Sequence, residues 1–351
     1  MALSKKEEKI LKSIVVASEN NPERPEFPAD DPKFPATPTY KINVQGFSDV
    51  WLKDESKNPT GTHKDRMAWE IVVSYREFLL AKKMGRAKGA LPQMSIISSG
   101  SAAVAIQTML RKYGLPNLKV LVDFTIGQKI TKTLEKMGCE IYETELGKKC
   151  LNWEEILAMT RNPAGFDITS SRAVNPATHF YDDTDPTTRF YDWLSYEILN
   201  NSPEYCFIPF GTGNLYENIL NINRREVSGK GKDPRFRGDA KTLRRCNFLG
   251  ATTNNPESKA DKLYAPHLPF MHYDEQWIRY YKRAGFCGTK SDLHTIREGF
   301  IDRAMKIAEG QGIECEPSGI AGLALMLQMK NKLPKNKKML IVNTGKTKYP
   351  E

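Results

Sequence analysis

The feature that most limits what this chain can fold into is the repeated alternation of short apolar runs with segments of helical period. Ser95–Ser99, Lys119–Phe124, Glu140–Thr144 and Phe166–Thr169 read as strands, with helices expected at Ser101–Lys112, Gln128–Met137 and Asn152–Thr160. Strand-helix-strand order of this kind demands a parallel sheet with right-handed crossovers and helices on its faces. After a break around residues 170–186, rich in Asn, Pro, Asp and Thr, the order resumes. There Cys206–Phe210, Asn247–Thr252 and Met339–Asn343 read as buried strands, and Asn214–Arg225, Leu293–Glu309 and Ser318–Met329 as helices. The expected fold is α/β with two lobes, each an open, mostly parallel sheet flanked by helices. The smaller lobe, 89–164, is inserted into a larger one formed by 1–88 and 165–351. In such sheets ligands collect outside the carboxyl ends of the strands.

Composition narrows the function classes. The chain has 351 residues, enough for two cores, and is 40% hydrophobic. No apolar run approaches the roughly 20 residues of a membrane-spanning helix. Met1–Lys12 is charged and lacks the apolar centre of a secretory signal, so a cytoplasmic protein is expected. Six cysteines (Cys139, Cys150, Cys206, Cys246, Cys287, Cys315) show no Cys-x-x-Cys spacing, and His267 and His272 lie in a Pro-containing stretch. Neither a disulfide framework nor a metal site is expected. Net charge is +10, densest from Arg224 to Arg245, where Arg224, Arg225, Lys230, Lys232, Arg235, Arg237, Lys241, Arg244 and Arg245 face Glu226, Asp233 and Asp239. No nucleic-acid fold signature accompanies this stretch, so it reads as a solvated connection, although a positive field can also hasten the encounter with an anionic substrate.

Four motifs sit where the alternation places ligand-facing turns. In Lys53-Asp54-Glu55-Ser56-Lys57-Asn58-Pro59-Thr60-Gly61-Thr62-His63-Lys64-Asp65-Arg66 a turn cluster ends, and a helix patterned from Met67 follows, so Lys64 lies near a helix start. An amine beside unpaired helical N–H groups and the positive end of the dipole is poised to lose its proton, as Schiff-base chemistry requires. His63 is expected to be structural. Ser98-Ser99-Gly100-Ser101-Ala102-Ala103-Val104-Ala105 opens a helix with small residues, free N–H groups and hydroxyls that suit a carboxylate. Gly211-Thr212-Gly213-Asn214-Leu215 aims backbone N–H groups at one point, as a phosphate cradle does. Thr344, ending the last strand before Gly345, can offer a hydroxyl to a ring nitrogen, with Ser318 of Glu316-Pro317-Ser318-Gly319 the second candidate. Gly345-Lys346-Thr347 lacks the upstream glycine of a nucleotide-binding loop, and no Gly-x-Gly-x-x-Gly is present.

Taken in order, Thr37-Pro38, the Lys64 run, the serine-glycine loop, the Gly127-to-Gly138 segment, Asn175-Pro176, the glycine loop and the final Thr344-Gly345 resemble the fold type II pyridoxal-phosphate enzymes. Within that class the chain is most similar to the superfamily of threonine synthase, cysteine synthase and the tryptophan synthase β subunit. The resemblance implies pyridoxal 5′-phosphate in a cleft between the lobes, with Lys64 as the Schiff-base lysine and later the base for the α-proton. It implies Gly211, Thr212, Gly213, Asn214 and Leu215 on the phosphate, and Thr344 or Ser318 on the pyridine nitrogen. Ser99, Gly100, Ser101 and Ala102 would receive the substrate carboxylate, Ser99 could exchange a proton on the opposite face, and Ser101 stands where the family has an asparagine beside the cofactor's 3′-oxygen. A homodimer is the family's usual state.

The activity so implied is elimination or replacement at the β or γ carbon of an amino acid, by a carbon–oxygen lyase like threonine synthase or a β-replacement transferase. An O-phosphorylated substrate would suit the basic surface. Cysteine-synthase-like replacement, serine/threonine ammonia-lyase activity and a catalytically degenerate pyridoxal-phosphate-binding protein are the alternatives. The pattern departs from threonine synthase between Asn175 and Tyr196, notably Ala177-Thr178-His179-Phe180-Tyr181-Asp182-Asp183, and again from Thr344 to Tyr349.

Overall fold

In a computed structural model, residues 3–15, 36–148, 151–169, 190–229, 233–264 and 290–350 are described, with backbone alone at 290 and 291. Asn175-Pro176, the Ala177–Asp183 segment, Lys230, Lys232, His267, His272, Cys150 and Cys287 lie outside the described residues. By internal contacts the chain divides into two units. One comprises Met1–Pro35, Lys64–Trp193 and Tyr349–Glu351, and the other Ala36–His63 and Leu194–Lys348. The span 89–164 falls wholly in the first.

The first unit contains α1 (Lys5–Ser13), α2 (Lys64–Lys83), β3 (Met94–Ile97), α3 (Ser101–Tyr113), β4 (Lys119–Asp123), α4 (Gln128–Lys136), β5 (Glu140–Thr144), α5 (Trp153–Met159) and β6 (Phe166–Asp167). Its four strands, ordered β5-β4-β3-β6, are all parallel, as the strand-helix alternation requires. Helix α2 opens at Lys64, three residues before the apolar pattern does, and buries nearly its whole circumference, including Trp69, Ile71, Val72, Val73, Tyr75, Phe78 and Leu79. It lies against α3, where the Trp69 and Tyr113 rings are 6.2 Å apart between centroids. This is why residues 64–83 group with the first unit. Tyr75 is fully buried and donates its hydroxyl to Pro92 O at 2.6 Å, which satisfies that polar atom inside the core.

The second unit is built on β1 (Thr39–Lys41), β2 (Val50–Asp54), β7 (Tyr205–Pro209), β8 (Asn247–Thr252), β9 (Lys290–Thr295) and β10 (Met339–Asn343), in the order β1-β2-β10-β7-β8-β9. All neighbours are parallel except the β1–β2 pair. Its helices are α6 (Asp192–Leu199, whose first two residues belong to the first unit), α7 (Asn214–Val227), α8 (Ala240–Leu243), α9 (Glu298–Glu309) and α10 (Ala321–Gln328). Seven of the eight α10 residues, from Ala321 to Leu327, are buried. A helix apolar all round belongs inside, and this one packs on β7, β8 and β10.

Two expectations need correction. The helix expected over Leu293–Glu309 begins only at Glu298, and Leu293–Thr295 are the end of β9, paired with Gly250–Thr252 of β8. The spacing of Leu293, Ile296 and Phe300 imitates a helical stripe, while β9 is an edge strand that tolerates polar Asp292, His294 and Thr295. The β1 and β2 strands were not anticipated, because Val50-Trp51-Leu52 runs directly into the charged Lys53-Asp54-Glu55. Those charges are buried, as described below. The described cysteines Cys139, Cys206, Cys246 and Cys315 are buried free thiols, and burial pushes Cys139 up to about 12, which makes it a poor nucleophile.

Candidate active site

Three charged residues in a row fold inward where β2 ends. Lys53, at 1% exposure, donates to Thr37 O at 2.6 Å and to the Glu197 carboxylate, with Glu55 3.8 Å away. Glu55 in turn accepts from the Thr37 hydroxyl and, at 2.7 Å, from Asn58 Nδ2, which also donates to Thr62 O at 3.1 Å. Asp54 accepts from Ser56 N and Oγ, from Tyr40 Oη at 3.0 Å and from Asn343 Nδ2 at 2.9 Å. Burial, with the Asp54 carboxylate beside it, raises the Tyr40 phenol above its ordinary range. Buried charges persist only when paired and hydrogen-bonded, and here the pairing fixes the turn Asn58-Pro59-Thr60-Gly61.

That turn is laced to the end of the last strand. Thr62 and Gly345 form an antiparallel bridge. His63 N donates to Thr344 O at 3.1 Å, Lys346 N to Gly61 O at 2.9 Å, and Lys348 N to Thr60 O at 2.9 Å. Gly61 and Gly345 have φ of 84° and 95°, and a Cβ on either would collide with the carbonyl of the opposing segment. Thr344 N donates to Gly319 O at 3.0 Å and Glu316 N to Gly345 O at 3.2 Å, so the Glu316–Gly319 turn joins the same lattice. With its N–H and C=O both engaged, Thr344 has a fixed backbone, and its side chain is partly exposed. Ser318 is buried, and its hydroxyl accepts from Lys262 N at 3.2 Å.

Lys64, the residue after His63, is the first of α2, and its half-buried amine donates to Tyr191 Oη at 2.9 Å, 5.5 Å from the centre of that ring. In the same unit Gly100, with φ 127°, precedes α3. The Ser98 hydroxyl, given no separate role in the sequence reading, accepts from Gly100 N at 3.1 Å and Ala103 N at 3.3 Å. Ser99 is exposed, Ser101 and Ala102 are half-buried, and Ser101 begins the helix. A Cβ on Gly100 would stand 3.0 Å from Tyr349 Oη and 3.2 Å from Ile130 Cγ2, so the backbone is approached closely from outside. The amides of this first turn have no helical carbonyl to bond.

In the second unit β7 leads through Phe210 and Gly211 into α7. Gly213 caps the helix at φ 92°, and a Cβ on Gly211 would lie 2.8 Å from Lys262 O, so glycine is required at both for different reasons. The first intrahelical bond is Glu217 N to Gly213 O, and among the described residues the N–H groups of Gly211–Leu215 meet no acceptor. The buried Asn214 Oδ1 likewise has no partner there. N–H groups without an acceptor among the described residues, at a helix N-terminus, suit a phosphate without a side-chain cation.

Three arginines of the basic stretch are committed. Arg235 pairs with Asp233 at 2.8 Å, Arg225 with Glu226 at 3.1 Å, both stand over the Tyr196 ring, and Arg244 donates to Val227 O at 2.6 Å. The neighbouring arginines hold Asp233 down at about 2, against the opposing effect of its burial. Among the described residues no helix is long and apolar enough to cross a membrane, and no three His, Cys, Asp or Glu side chains converge as a metal-ligand set.

The sequence profile of the pyridoxal-phosphate dependent enzymes matches residues 34–345, and the chain belongs to that family. Its cofactor is therefore pyridoxal phosphate, and its fold is fold type II. A threonine synthase from Synechocystis sp. is 25% identical over 301 residues, covering 84% of this chain and 71% of that one. Among solved structures, an O-ureido-L-serine synthase matches with TM-score 0.61 and 17% identity, over 88% of this chain and 89% of the other. An O-acetylserine dependent cystathionine beta-synthase from Helicobacter pylori matches with TM-score 0.59 and 13% identity, over 99% and 96%. At those identities the structures speak for the fold alone.

Proposed function

We propose that this enzyme expels a leaving group from the β or γ carbon of an amino acid, in the manner of threonine synthase, with replacement by water or another nucleophile to follow. The observation that carries the reading is Thr344, a neutral hydroxyl on a backbone pinned at the end of β10. A neutral partner keeps a pyridine ring a weaker electron sink than a carboxylate would, which favours elimination and replacement over transamination. Pyridoxal phosphate, when bound, supplies an aldehyde for an amine and a ring that draws electrons from the α carbon.

The chain's own residues divide the remaining work. Lys64 Nζ would hold the cofactor through its aldehyde and, when released from it, would serve as the base for the α-proton. The N–H groups of Gly211, Thr212, Gly213, Asn214 and Leu215 would hold the phosphate, and the Thr344 hydroxyl would meet the ring nitrogen, with Ser318 the second candidate for it. Ser99, Gly100, Ser101 and Ala102 would receive the carboxylate, and the hydroxyl of Ser99, an exposed residue, would exchange a proton on the opposite face. Ser101 is shorter than asparagine, so the contact the family makes to the 3′-oxygen is reduced. The identity of the threonine synthase relative supports this reading over cysteine-synthase-like replacement or serine/threonine deamination.

The deciding experiment is the visible absorbance of the purified protein, alone and during addition of O-phosphohomoserine, O-acetylserine, serine and threonine, with Lys64→Ala alongside. The expected result is a band that the substitution abolishes and that the phosphorylated substrate shifts, with threonine and phosphate as products. A protein that stays colourless with added pyridoxal phosphate would overturn the reading. Size-exclusion chromatography with light scattering tests the homodimer assumed with it.

A further inference from the structure

Tyr191 lies between Asn175 and Tyr196, where the threonine-synthase pattern is lost, yet its hydroxyl meets the amine that the proposed chemistry depends on. The side chain is fully buried, and Oη lies 2.9 Å from Lys64 Nζ and 4.0 Å from Met67 Sδ. A phenol hydroxyl in the interior costs free energy unless it is bonded, whereas phenylalanine would fill the same volume without that cost. The amine sits on a four-carbon stem with many rotamers, so one directional bond to a rigid ring restricts where Nζ can be.

The type of partner matters as much as its place. A carboxylate only accepts, and would hold the proton on the amine. A tyrosine hydroxyl accepts from an ammonium and donates to a neutral amine, so it can keep Nζ in one position through both protonation states. We propose that Tyr191 is a positioning residue that presents the Lys64 amine to the cofactor aldehyde. The proposal rests on the reading of Lys64 as the cofactor lysine.

The test uses the full chain stripped of cofactor and compares Tyr191→Phe with the unsubstituted protein. Two quantities are read. One is the rate at which added pyridoxal phosphate is captured, followed by the growth of the visible band. The other is equilibrium affinity for 4′-deoxypyridoxine phosphate, which has the ring and phosphate but no aldehyde. Loss of one charge-assisted hydrogen bond predicts capture slowed about tenfold, with affinity for the analogue held within about twofold. Equal capture rates would overturn the role of Tyr191 and leave the cofactor reading intact. A parallel fall in capture and analogue affinity would make Tyr191 a packing residue only, and also overturn it. If the unsubstituted protein captures no pyridoxal phosphate, the reading of Lys64 falls and the role of Tyr191 with it.

Discussion

The main-chain N–H of His63 donates to the carbonyl oxygen of Thr344 at 3.1 Å, joining residues 281 positions apart. The residue before the lysine and the last residue before the Gly345 turn are thereby held by one backbone hydrogen bond, independent of their side chains. The Thr62–Gly345 bridge and the Lys346 N to Gly61 O bond continue the same seam. A defect in the seam should therefore be felt at both places.

Gly345→Ala places a methyl group against the Gly61 carbonyl at a positive φ that side chains avoid. The substitution should destabilise the second unit by about 1–3 kcal/mol and weaken cofactor retention. Thermal unfolding with and without added pyridoxal phosphate measures both. A melting temperature equal to that of the unsubstituted protein would count against the seam.

Lys53→Met should cost about 3–5 kcal/mol, because it leaves the buried Glu55 and the partly buried Glu197 without their cation. Adding Glu197→Gln should recover part of that loss, since one unpaired charge is then removed. Urea denaturation of the two single variants and the double variant gives the coupling directly. Strict additivity would show that the three side chains do not act as a group.

Asp167 gives the stability a pH dependence. Burial raises its carboxyl to about 6 from an ordinary 3.8, against hydrogen bonds from Thr169 that lower it. The folded chain then holds a proton that the unfolded chain releases between these values. Stability from this group is full below about pH 4 and is lost as pH rises through about 6, by roughly 3 kcal/mol in all. Asp167→Asn keeps an acceptor for Thr169 N and should remove this loss, leaving the variant more stable at pH 7. Denaturation midpoints measured from pH 4 to pH 8 would reveal it as two curves that separate only above pH 4.

Gly211→Ala sets a methyl group 2.8 Å from Lys262 O, at the loop assigned to the phosphate. Affinity for pyridoxal phosphate should fall at least about tenfold, the loss of one good hydrogen bond to an ionised group. Affinity for pyridoxal, which has no phosphate, should change far less. Equal losses for both ligands would place the phosphate elsewhere.

Much of the fold was legible because short strand-like runs alternate with segments of helical period. The Glu140–Thr144, Asn247–Thr252 and Met339–Asn343 strands were bounded to the residue. What escaped was carried by polar residues whose partners are distant in sequence. Strand β2 ends in Lys53-Asp54, buried only because Glu197 and Asn343 meet them, and β9 carries edge-strand polarity that reads as a helix face. At the site, turn chemistry exposed Lys64 and the glycine loop. Ser98 was within reach, since a serine shortly before a helix start is a capping signal. Tyr191 was not, because nothing local relates a tyrosine to a lysine 127 residues earlier.

Strand β10 lies between β2 and β7, although its residues, Met339–Asn343, come 285 or more positions after those of β2. During synthesis β2 leaves the ribosome early and must wait, unpaired on that side, for nearly the whole of the rest of the chain. Its Val50-Trp51-Leu52 edge is meanwhile open to the wrong neighbour. The β3–β6 sheet is drawn from consecutive stretches and faces no such delay. A slow, chaperone-sensitive step in the birth of this protein thus belongs to the second unit, and it ends only when the final strand arrives.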